Sequence, residues 1–105
     1  MQSNRSAYRL EFSPLAQQDI DDILQYTYEN WGEARLLKYK EILDTGWENL
    51  ILNPGIGHYR SDLPKGCRAL KVGEHYAIYV FQNQTIQVFR VLHGRMNFKR
   101  QEFST

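Results

Sequence analysis

The sequence contains very little cysteine and no long apolar run. Cys67 is the only cysteine among 105 residues, which excludes an intrachain disulfide and a metal site built on several cysteines. No apolar stretch approaches the ~20 residues that a bilayer-spanning helix needs, and the N-terminus lacks the apolar segment of a secretory signal. We therefore expect a cytoplasmic protein without a membrane partner.

The net charge is also small. It is +1 at neutral pH, far less than free-standing nucleic-acid-binding domains usually carry. The charge is unevenly spread, because residues 1–53 hold five Lys/Arg and nine Asp/Glu, whereas residues 54–105 hold eight and three. This asymmetry suits an acidic or nucleic-acid-associated partner, but an uneven solvated surface explains it equally well. We predict no strong independent binding to nucleic acid.

Length and composition indicate a single domain. The chain is 42% hydrophobic and 24% charged, which is close to the average for globular domains, and a chain of this length can bury one substantial core. We find no repeat, linker or low-complexity segment. One domain is predicted over residues 1–105, with a core at about 7–97 and a C-terminal tail at 98–105.

The first part of the chain predicts a strand followed by a helix. Residues 8–12 alternate apolar and charged side chains, as a half-buried strand does. Ser13 is a suitable N-cap and Pro14 a suitable first helical residue. The apolar stripe continues to Trp31, and Gly32 can end the helix in the left-handed conformation.

The rest of the chain predicts a second helix and three strands. The helix begins near Glu33 and ends at Asn53-Pro54, and residues 54–66 have the glycines and prolines of an irregular loop. Strand-like runs follow at 67–72, 76–81 and 85–92. The element order is therefore β-α-α-β-β-β.

Two features of the helices concern packing. Gly46 lies on the apolar stripe of the second helix, where glycine costs about 1 kcal/mol relative to alanine, so we expect another backbone to approach closely there. Trp31 and Trp47 both lie on stripes that face the core, and we expect both to be packed in the interior.

Several short segments, in their order and spacing, resemble the RelE/ParE superfamily of bacterial toxins, and in particular its ParE branch. They are Phe12-Ser-Pro-Leu-Ala16, Leu50-Ile-Leu-Asn-Pro-Gly-Ile-Gly57, Gly66-Cys-Arg68, His75-Tyr-Ala-Ile-Tyr79 and Arg90-Val-Leu-His-Gly-Arg-Met-Asn97. The likeness covers the chain from Tyr8 to about Asn97. It implies an α+β fold in which a helical hairpin packs on a four-stranded, mainly antiparallel sheet, with the first strand beside the last.

The resemblance also implies a function. Members of the superfamily are the toxin halves of toxin–antitoxin pairs, each neutralised by a small antitoxin protein. ParE toxins poison DNA gyrase by binding it, without a cofactor, whereas RelE-type relatives cut messenger RNA on the ribosome. Fold alone does not choose between these activities.

A histidine and a group of basic side chains would carry a RelE-like nuclease activity. Histidine is the side chain best suited to take and return a proton near neutral pH, so His93 would serve as base and acid. Arg68, Arg90 and Arg95, with Lys71, would supply positive charge around the phosphate. A structural role for His93 at the end of the sheet is the simpler interpretation. Low net charge also argues against binding to the ribosome.

Other residues are candidates for partner contact. Arginine is enriched at protein interfaces, and two tyrosines fall off the core-facing stripes. The candidates are Arg60, Arg68, Arg90, Arg95, Tyr28 and Tyr59. Ordinary surface ion pairs, such as Arg60 with Asp62 or Arg68 with Glu74, are equally consistent with the sequence.

The remaining polar residues indicate no metal or cofactor. His58 and His75 lie in or beside turns without ligand spacing, and Asp19, Asp21 and Asp22 are explained by the dipole of the first helix. The sequence thus favours a ParE-like gyrase toxin with no catalytic residues of its own. A RelE-like nuclease and a non-toxic, antitoxin-binding relative remain as alternatives.

Overall fold

The structure, a computed structural model, describes residues 8–103, so residue 7 at the predicted start of the core lies outside it. The elements are β1 (Arg9–Phe12), α1 (Pro14–Trp31), α2 (Glu33–Leu52), β2 (His58–Tyr59), β3 (Arg68–Val72), β4 (His75–Gln82), β5 (Thr85–His93) and one 3-10 turn (Phe98–Arg100). The predicted α+β class is confirmed, and the six predicted elements occur in the predicted order. No helix within these residues is long and apolar enough to cross a bilayer.

The sheet is mixed and contains one strand more than predicted. Its strand order is β1-β5-β4-β3-β2, with β1 parallel to β5 and the other pairs antiparallel. The first strand therefore lies beside the last, as expected. The extra strand β2 pairs His58 and Tyr59 with Ala69 and Arg68. Two residues are too few to show an alternating pattern, so the sequence indicated only a loop there.

Ser13 and Pro14 start α1 as the sequence predicts, and Gly32 ends it with a positive φ, although its ψ of 179° is extended and not left-handed helical. The Ser13 side chain accepts a hydrogen bond from the Ala16 backbone N–H at 3.0 Å, and Pro14 occupies the first turn. At the other end Gly32 has φ 86° and donates its N–H to the Tyr28 carbonyl. Since α2 starts at the next residue, Gly32 alone makes the connection of the helical hairpin.

Gly46 marks a close contact between α2 and the sheet. It is buried, and a Cβ at this position would lie 2.6 Å from the Val72 Cγ1 atom. The close approach is thus present, but the neighbour is a side chain of β3 rather than the backbone that we expected. Helix spacing locates the contact and does not reveal which atoms of the facing strand reach it.

Each face of the sheet has its own apolar cluster. On the helix side, Ala77, Tyr79 and Val88 pack with Ala16 and Leu50 from the helices. On the opposite side, Ile78 and Leu92 pack with residues of the 60–67 loop and with the C-terminal segment. The central strand β4 is therefore covered on both faces, as its continuous apolar sequence predicts.

Two aromatic residues define the limits of this core. Phe98 is only 2% exposed and belongs to the second cluster, so the packed interior continues into the segment that the sequence assigned to the tail. Trp31, by contrast, is 61% exposed, and the prediction that it packs inside is wrong. Helical periodicity gives the direction of a side chain, but it cannot show whether a neighbouring element lies beneath the last turn.

Candidate functional site

The start of α1 completes the edge of β5 where β1 ends. The last paired residue of β1 is Phe12, opposite Val88. Ser13 then donates its backbone N–H to the Val88 carbonyl at 2.9 Å and its hydroxyl to the Phe89 carbonyl at 2.7 Å. Further along, the Asp19 carboxylate accepts the Val91 N–H at 2.9 Å. Beyond the end of β1, polar groups of Ser13 and α1 therefore form the hydrogen bonds with β5 that a longer β1 would have formed.

Arg90 lies along the same contact between α1 and β5, which we call the α1–β5 seam and define by Ser13, Asp19 and Arg90. Its guanidinium donates to the two Asp19 carboxylate oxygens at 2.7 and 2.9 Å, and to the Glu102 carbonyl at 2.7 Å. The Arg90 and Asp19 side chains are only 12% and 14% exposed. The hydrogen bonds to Asp19 raise the pKa of Arg90 above its ordinary value. Arg90 therefore joins α1, β5 and the C-terminal segment, and it is not directed at solvent.

This geometry corrects the explanation given for Asp19. Asp19 lies outside the first turn of α1, which contains no acidic residue, so the helix dipole does not account for it. Its partners are Arg90 and the Val91 backbone. Asp21 and Asp22 instead accept hydrogen bonds from Gln17 and Gln18, one turn earlier on the exposed face.

Arg68 and Arg60 also have partners within the chain. Arg68 donates to the carbonyls of Gly55 and Gly57 at 3.2 and 3.1 Å and stacks on the Tyr59 ring at 4.2 Å, so the surface pair with Glu74 does not form. Arg60 makes the surface pair that the sequence offered, with two hydrogen bonds to Asp62. This pair holds the pKa of Asp62 below its ordinary value.

The buried Tyr79 hydroxyl anchors the loop after α2. It donates to the Pro54 carbonyl at 2.7 Å and accepts the Gly57 N–H at 2.9 Å. Gly57 must be small, because a Cβ there would lie 2.7 Å from the same hydroxyl oxygen. The loop that carries β2 is therefore fixed by the Tyr79 hydroxyl in the core. The sequence did not indicate this role for Tyr79.

A cleft of about 490 Å³ opens between the helical hairpin and the far end of the sheet. We call it the hairpin cleft and define it by Trp31, Arg35, Tyr39, His75, His93 and Arg95. Trp31 and Arg35 come from the two sides of the helix connection, and the Arg35 guanidinium lies 5.2 Å from the centre of the Trp31 ring. The two histidines come from β4 and β5, where they are cross-strand partners.

Hydrogen bonds fix the inner wall of the hairpin cleft. The Tyr39 hydroxyl accepts the Glu74 N–H at 2.9 Å and lies 2.6 Å from the His75 Nδ1 atom. The His75 and His93 rings meet edge to face, with centres 5.2 Å apart. Burial, followed by the nearby His93, lowers the pKa of His75 from 6.5 to about 4, and burial raises the pKa of Tyr39. His75 is therefore neutral at physiological pH.

The two ring nitrogens of His93 have different surroundings. Its Nδ1 atom accepts the Arg95 backbone N–H at 3.1 Å, and its Nε2 atom lies 3.7 Å from a Glu74 carboxylate oxygen. Because Nδ1 is an acceptor, the proton of the neutral ring is on Nε2. This interaction caps the end of β5, as the structural interpretation of His93 predicts.

The structure brings only some of the predicted site residues together. His93 and Arg95 share the hairpin cleft, whereas Arg90 and Arg68 are engaged elsewhere. Tyr28 and Tyr59 are exposed at separate places. Within residues 8–103 no group of three or more His, Cys, Asp or Glu side chains could hold a metal ion.

Sequence patterns did not indicate Arg35, Tyr39, Glu74 or His75 as residues of a functional site. No sequence signal joins them, because the four residues come from α2, the turn after β3 and the start of β4. Only the packing of the hairpin on the sheet makes them neighbours.

The fold is that of RelE/ParE toxins. A structure described as the chromosomal ParDE toxin–antitoxin system from P. aeruginosa superposes with a TM-score of 0.71 at 20% identity, over 83% of this chain and 96% of that one. The toxin–antitoxin complex RelBE2 from Mycobacterium tuberculosis gives a TM-score of 0.60 at 17% identity, over 84% and 99% of the chains.

Sequence comparison specifies the family. The family described as "ParE toxin of type II toxin-antitoxin system, parDE" matches residues 10–98. Toxin ParE1 of Mycobacterium tuberculosis is 36% identical over 93 residues, which cover 88% of this chain and 95% of that protein. Toxin ParE1 of Caulobacter vibrioides is 33% identical over 90 residues, or 86% and 91% of the chains. The chain therefore belongs to the ParE toxin family of type II toxin–antitoxin systems.

Proposed function

We propose that this toxin inhibits DNA gyrase by binding it, with no bond-making chemistry of its own, and that a cognate antitoxin neutralises it. The observation that carries the proposal is the ParE family match over residues 10–98. The relatives that the chain resembles over most of its length are likewise named ParE toxins.

The arrangement of the arginines supports ParE-like action over RNA cleavage. A RelE-like nuclease would need His93, Arg68, Arg90 and Arg95 to converge on one phosphate. Arg90 is bound to Asp19 in the α1–β5 seam, and Arg68 is bound to the carbonyls of the loop after α2. Only His93 and Arg95 line one cleft, and two residues do not make the charge cluster that the nuclease requires.

The exposed candidates define where gyrase would be contacted. Arg95 is exposed at the mouth of the hairpin cleft, and within residues 8–103 its side chain makes no hydrogen bond or ion pair. Tyr28 and Tyr59 are exposed aromatic side chains of the kind that anchor interfaces. We assign the principal gyrase contact to Arg95, because its charge has no partner within the described residues.

A groove on the flank of the hairpin fits the proposed antitoxin. It has a volume of about 480 Å³ and is lined by Leu24 and Tyr28 of α1 and by Leu36, Leu37 and Lys40 of α2. Leu37 is 58% exposed. An amphipathic helix of a partner would bury such an apolar groove.

The test of the gyrase proposal is a supercoiling reaction on relaxed plasmid with purified, antitoxin-free toxin. We expect loss of supercoiling and linear DNA after detergent treatment. The Arg95→Ala variant should lose this activity at least tenfold, an amount typical of an interface arginine, while Arg100→Ala, which removes an exposed arginine elsewhere, should keep it. Normal supercoiling with a folded toxin that arrests growth would refute gyrase as the target.

The same variants separate the alternatives. If His93→Ala abolishes growth inhibition and the wild-type toxin cleaves ribosome-bound messenger RNA, the RelE-like mechanism is correct instead. A folded wild-type chain that binds antitoxin but never slows growth would identify a non-toxic relative.

The antitoxin groove is tested by measuring affinity for the protein encoded beside the toxin gene. Leu37→Ser should weaken binding about tenfold, because a largely apolar contact is lost. Lys38→Ser, the exposed neighbour outside the groove, should have little effect. Equal affinity of both variants would place the antitoxin on another surface.

A further inference from the structure

The hairpin cleft contains three kinds of chemistry, and of these groups the gyrase proposal uses only the Arg95 guanidinium. Its outer wall is aromatic, with Tyr26 and Trp31 exposed on α1. Two guanidinium groups, of Arg35 and Arg95, also line it. Two carboxylates, of Asp22 and Glu74, complete the polar lining. The formal charges of these four side chains cancel, so the cleft is not a general trap for anions.

The cationic groups are available for a phosphate. Arg35 interacts only with the Trp31 ring among the described residues, and the Arg95 side chain has no polar partner there. The planar guanidinium group binds phosphate oxygens with two parallel hydrogen bonds. The Nε2–H of His93 adds a neutral donor on the same lining. These are the donors with which the cleft would bind a phosphate group.

The aromatic wall and the carboxylates fit a nucleobase. Exposed aromatic rings bind bases by stacking, and each stacked base contributes about 1–3 kcal/mol. A carboxylate accepts hydrogen bonds from the exocyclic amino group of a base, as aspartate and glutamate do with cytosine. The Glu74 side chain is 79% exposed, so it can turn toward such a group without leaving a buried contact. Thymine has no amino group and cannot make this bond.

We propose that the hairpin cleft binds a 5′-nucleotide unit with an amino-bearing base, with the base on Trp31 and the phosphate on Arg35 and Arg95. The cleft volume of about 490 Å³ lies within the ~300–1,000 Å³ range of ligand pockets. A peptide rich in acidic residues would satisfy the arginines, but it would be repelled by Asp22 and Glu74 and would leave the aromatic wall uncovered. This inference goes beyond the proposed function and does not depend on gyrase being the target.

Calorimetric titration of the purified toxin tests the proposal. The probes are deoxycytidine 5′-monophosphate, deoxycytidine, thymidine 5′-monophosphate and inorganic phosphate. We expect the cytidine nucleotide to bind at least tenfold more tightly than its nucleoside or phosphate alone. The thymidine nucleotide should bind several-fold more weakly than the cytidine nucleotide, because thymine has no exocyclic amino group to donate to the carboxylates.

Variants assign the contacts. Arg95→Ala and Trp31→Leu should each weaken binding of the cytidine nucleotide about tenfold, since they remove a charged hydrogen bond and a stacking surface. Arg100→Ala is the matched control for charge and should bind like the wild type. Unchanged urea midpoints will show that the variants are folded. Equal weakening by Arg95→Ala and Arg100→Ala would overturn the site, because only general charge would then matter.

A final pair of probes identifies the source of the nucleotide. A short single-stranded oligodeoxycytidine that binds more tightly than the mononucleotide would indicate a nucleic acid strand in the cleft, and equal affinity would indicate a free nucleotide. No binding of either probe at millimolar concentration overturns the proposal. Tighter binding of a glutamate-rich peptide than of the cytidine nucleotide also overturns it.

Discussion

Arg90 and Arg95 are separated by five positions in the sequence, but they lie in two regions with opposite character. Arg90 lies within β5, where α1 passes along the strand edge, and its guanidinium is bound to Asp19 and to the Glu102 carbonyl. Arg95 follows the end of β5, where no helix covers it, and it lines an open cleft. An arginine is therefore available for a partner only where the fold leaves its charge unpaired.

The two regions also differ in how their hydrogen bonds are used. In the α1–β5 seam, the side chains of Ser13 and Asp19 form hydrogen bonds with backbone groups of β5. In the hairpin cleft, Tyr39, His75 and His93 form a wall whose remaining donors face an open space. We therefore expect changes in the seam to affect stability and changes at the cleft to affect binding.

The largest effect should come from breaking the seam at Asp19. Asp19→Ala leaves the Arg90 charge and the Val91 N–H without their partner in a poorly exposed place. We expect the free energy of unfolding to fall by about 3 kcal/mol, as is typical when one member of a buried ion pair is removed. Urea denaturation measures the loss. Asp21→Ala is the control, and a similar loss there would contradict the special role of Asp19.

The next largest effect is a pH dependence that arises in the hairpin cleft. The pKa of His75 is about 4 in the folded chain against 6.5 ordinarily, so the unfolded chain binds more protons between these values. Its contribution to stability is complete above pH 6.5 and is lost as the pH falls toward 4. We expect the free energy of unfolding to fall by an amount on the order of 2 kcal/mol. This is less than the full pKa shift would give, because His75 is partly exposed to solvent.

The control for this pH dependence is His75→Asn, which keeps an acceptor for the Tyr39 hydroxyl but does not titrate. Tyr39, Glu74, His93 and Asp19 are the other charged or titratable groups that face His75, and all of them remain in the variant. Urea midpoints between pH 7 and 4 should fall more steeply for the wild type. Parallel curves would show that His75 does not cause the dependence.

A smaller loss is expected at the first residue of the seam. Ser13→Ala removes the N-cap of α1 and leaves the Phe89 carbonyl without its donor. The free energy of unfolding should fall by about 1.5 kcal/mol, which combines a lost cap with a lost hydrogen bond. Ser13→Thr keeps the hydroxyl and should recover most of the stability. Equal losses for both variants would indicate packing rather than hydrogen bonding.

The smallest effect on stability should come from the cleft arginine. Arg95→Ala removes a side chain that has no polar partner among the described residues, so the free energy of unfolding should change by less than about 0.5 kcal/mol. Gyrase inhibition should nevertheless be lost. A stability loss comparable to that of Asp19→Ala would abolish the contrast between the two regions.

Much of the fold followed from local sequence patterns. A strand was predicted at residues 8–12 and is found at Arg9–Phe12. The N-cap at Ser13, the end of α1 at Gly32 and the end of α2 near Asn53 were also predicted and are confirmed. These features depend on side-chain spacing and on the backbone conformations of proline and glycine, which are set by residues close together in the sequence. The two-residue strand β2 was missed because its pairing depends on a distant partner, β3.

The candidate site was predicted only in part. His93 and Arg95 were named from the sequence and do share a cleft. Arg90 was named for the same reasons, yet it is committed to Asp19, a residue 71 positions away. Tyr39 and Glu74 gave no signal, because each is an ordinary residue until the hairpin packs against the sheet.

Local sequence patterns located the two helices and the longer strands in their order, the start of α1 and the turn of the hairpin, and they indicated the family to which the chain belongs. Tertiary structure alone decided that Asp19 completes the edge of β5, that Trp31 is exposed, and which arginines keep an unpaired charge. The physical reason is that propensity and capping act between near neighbours in the chain, whereas burial and charge pairing depend on residues that only folding brings together.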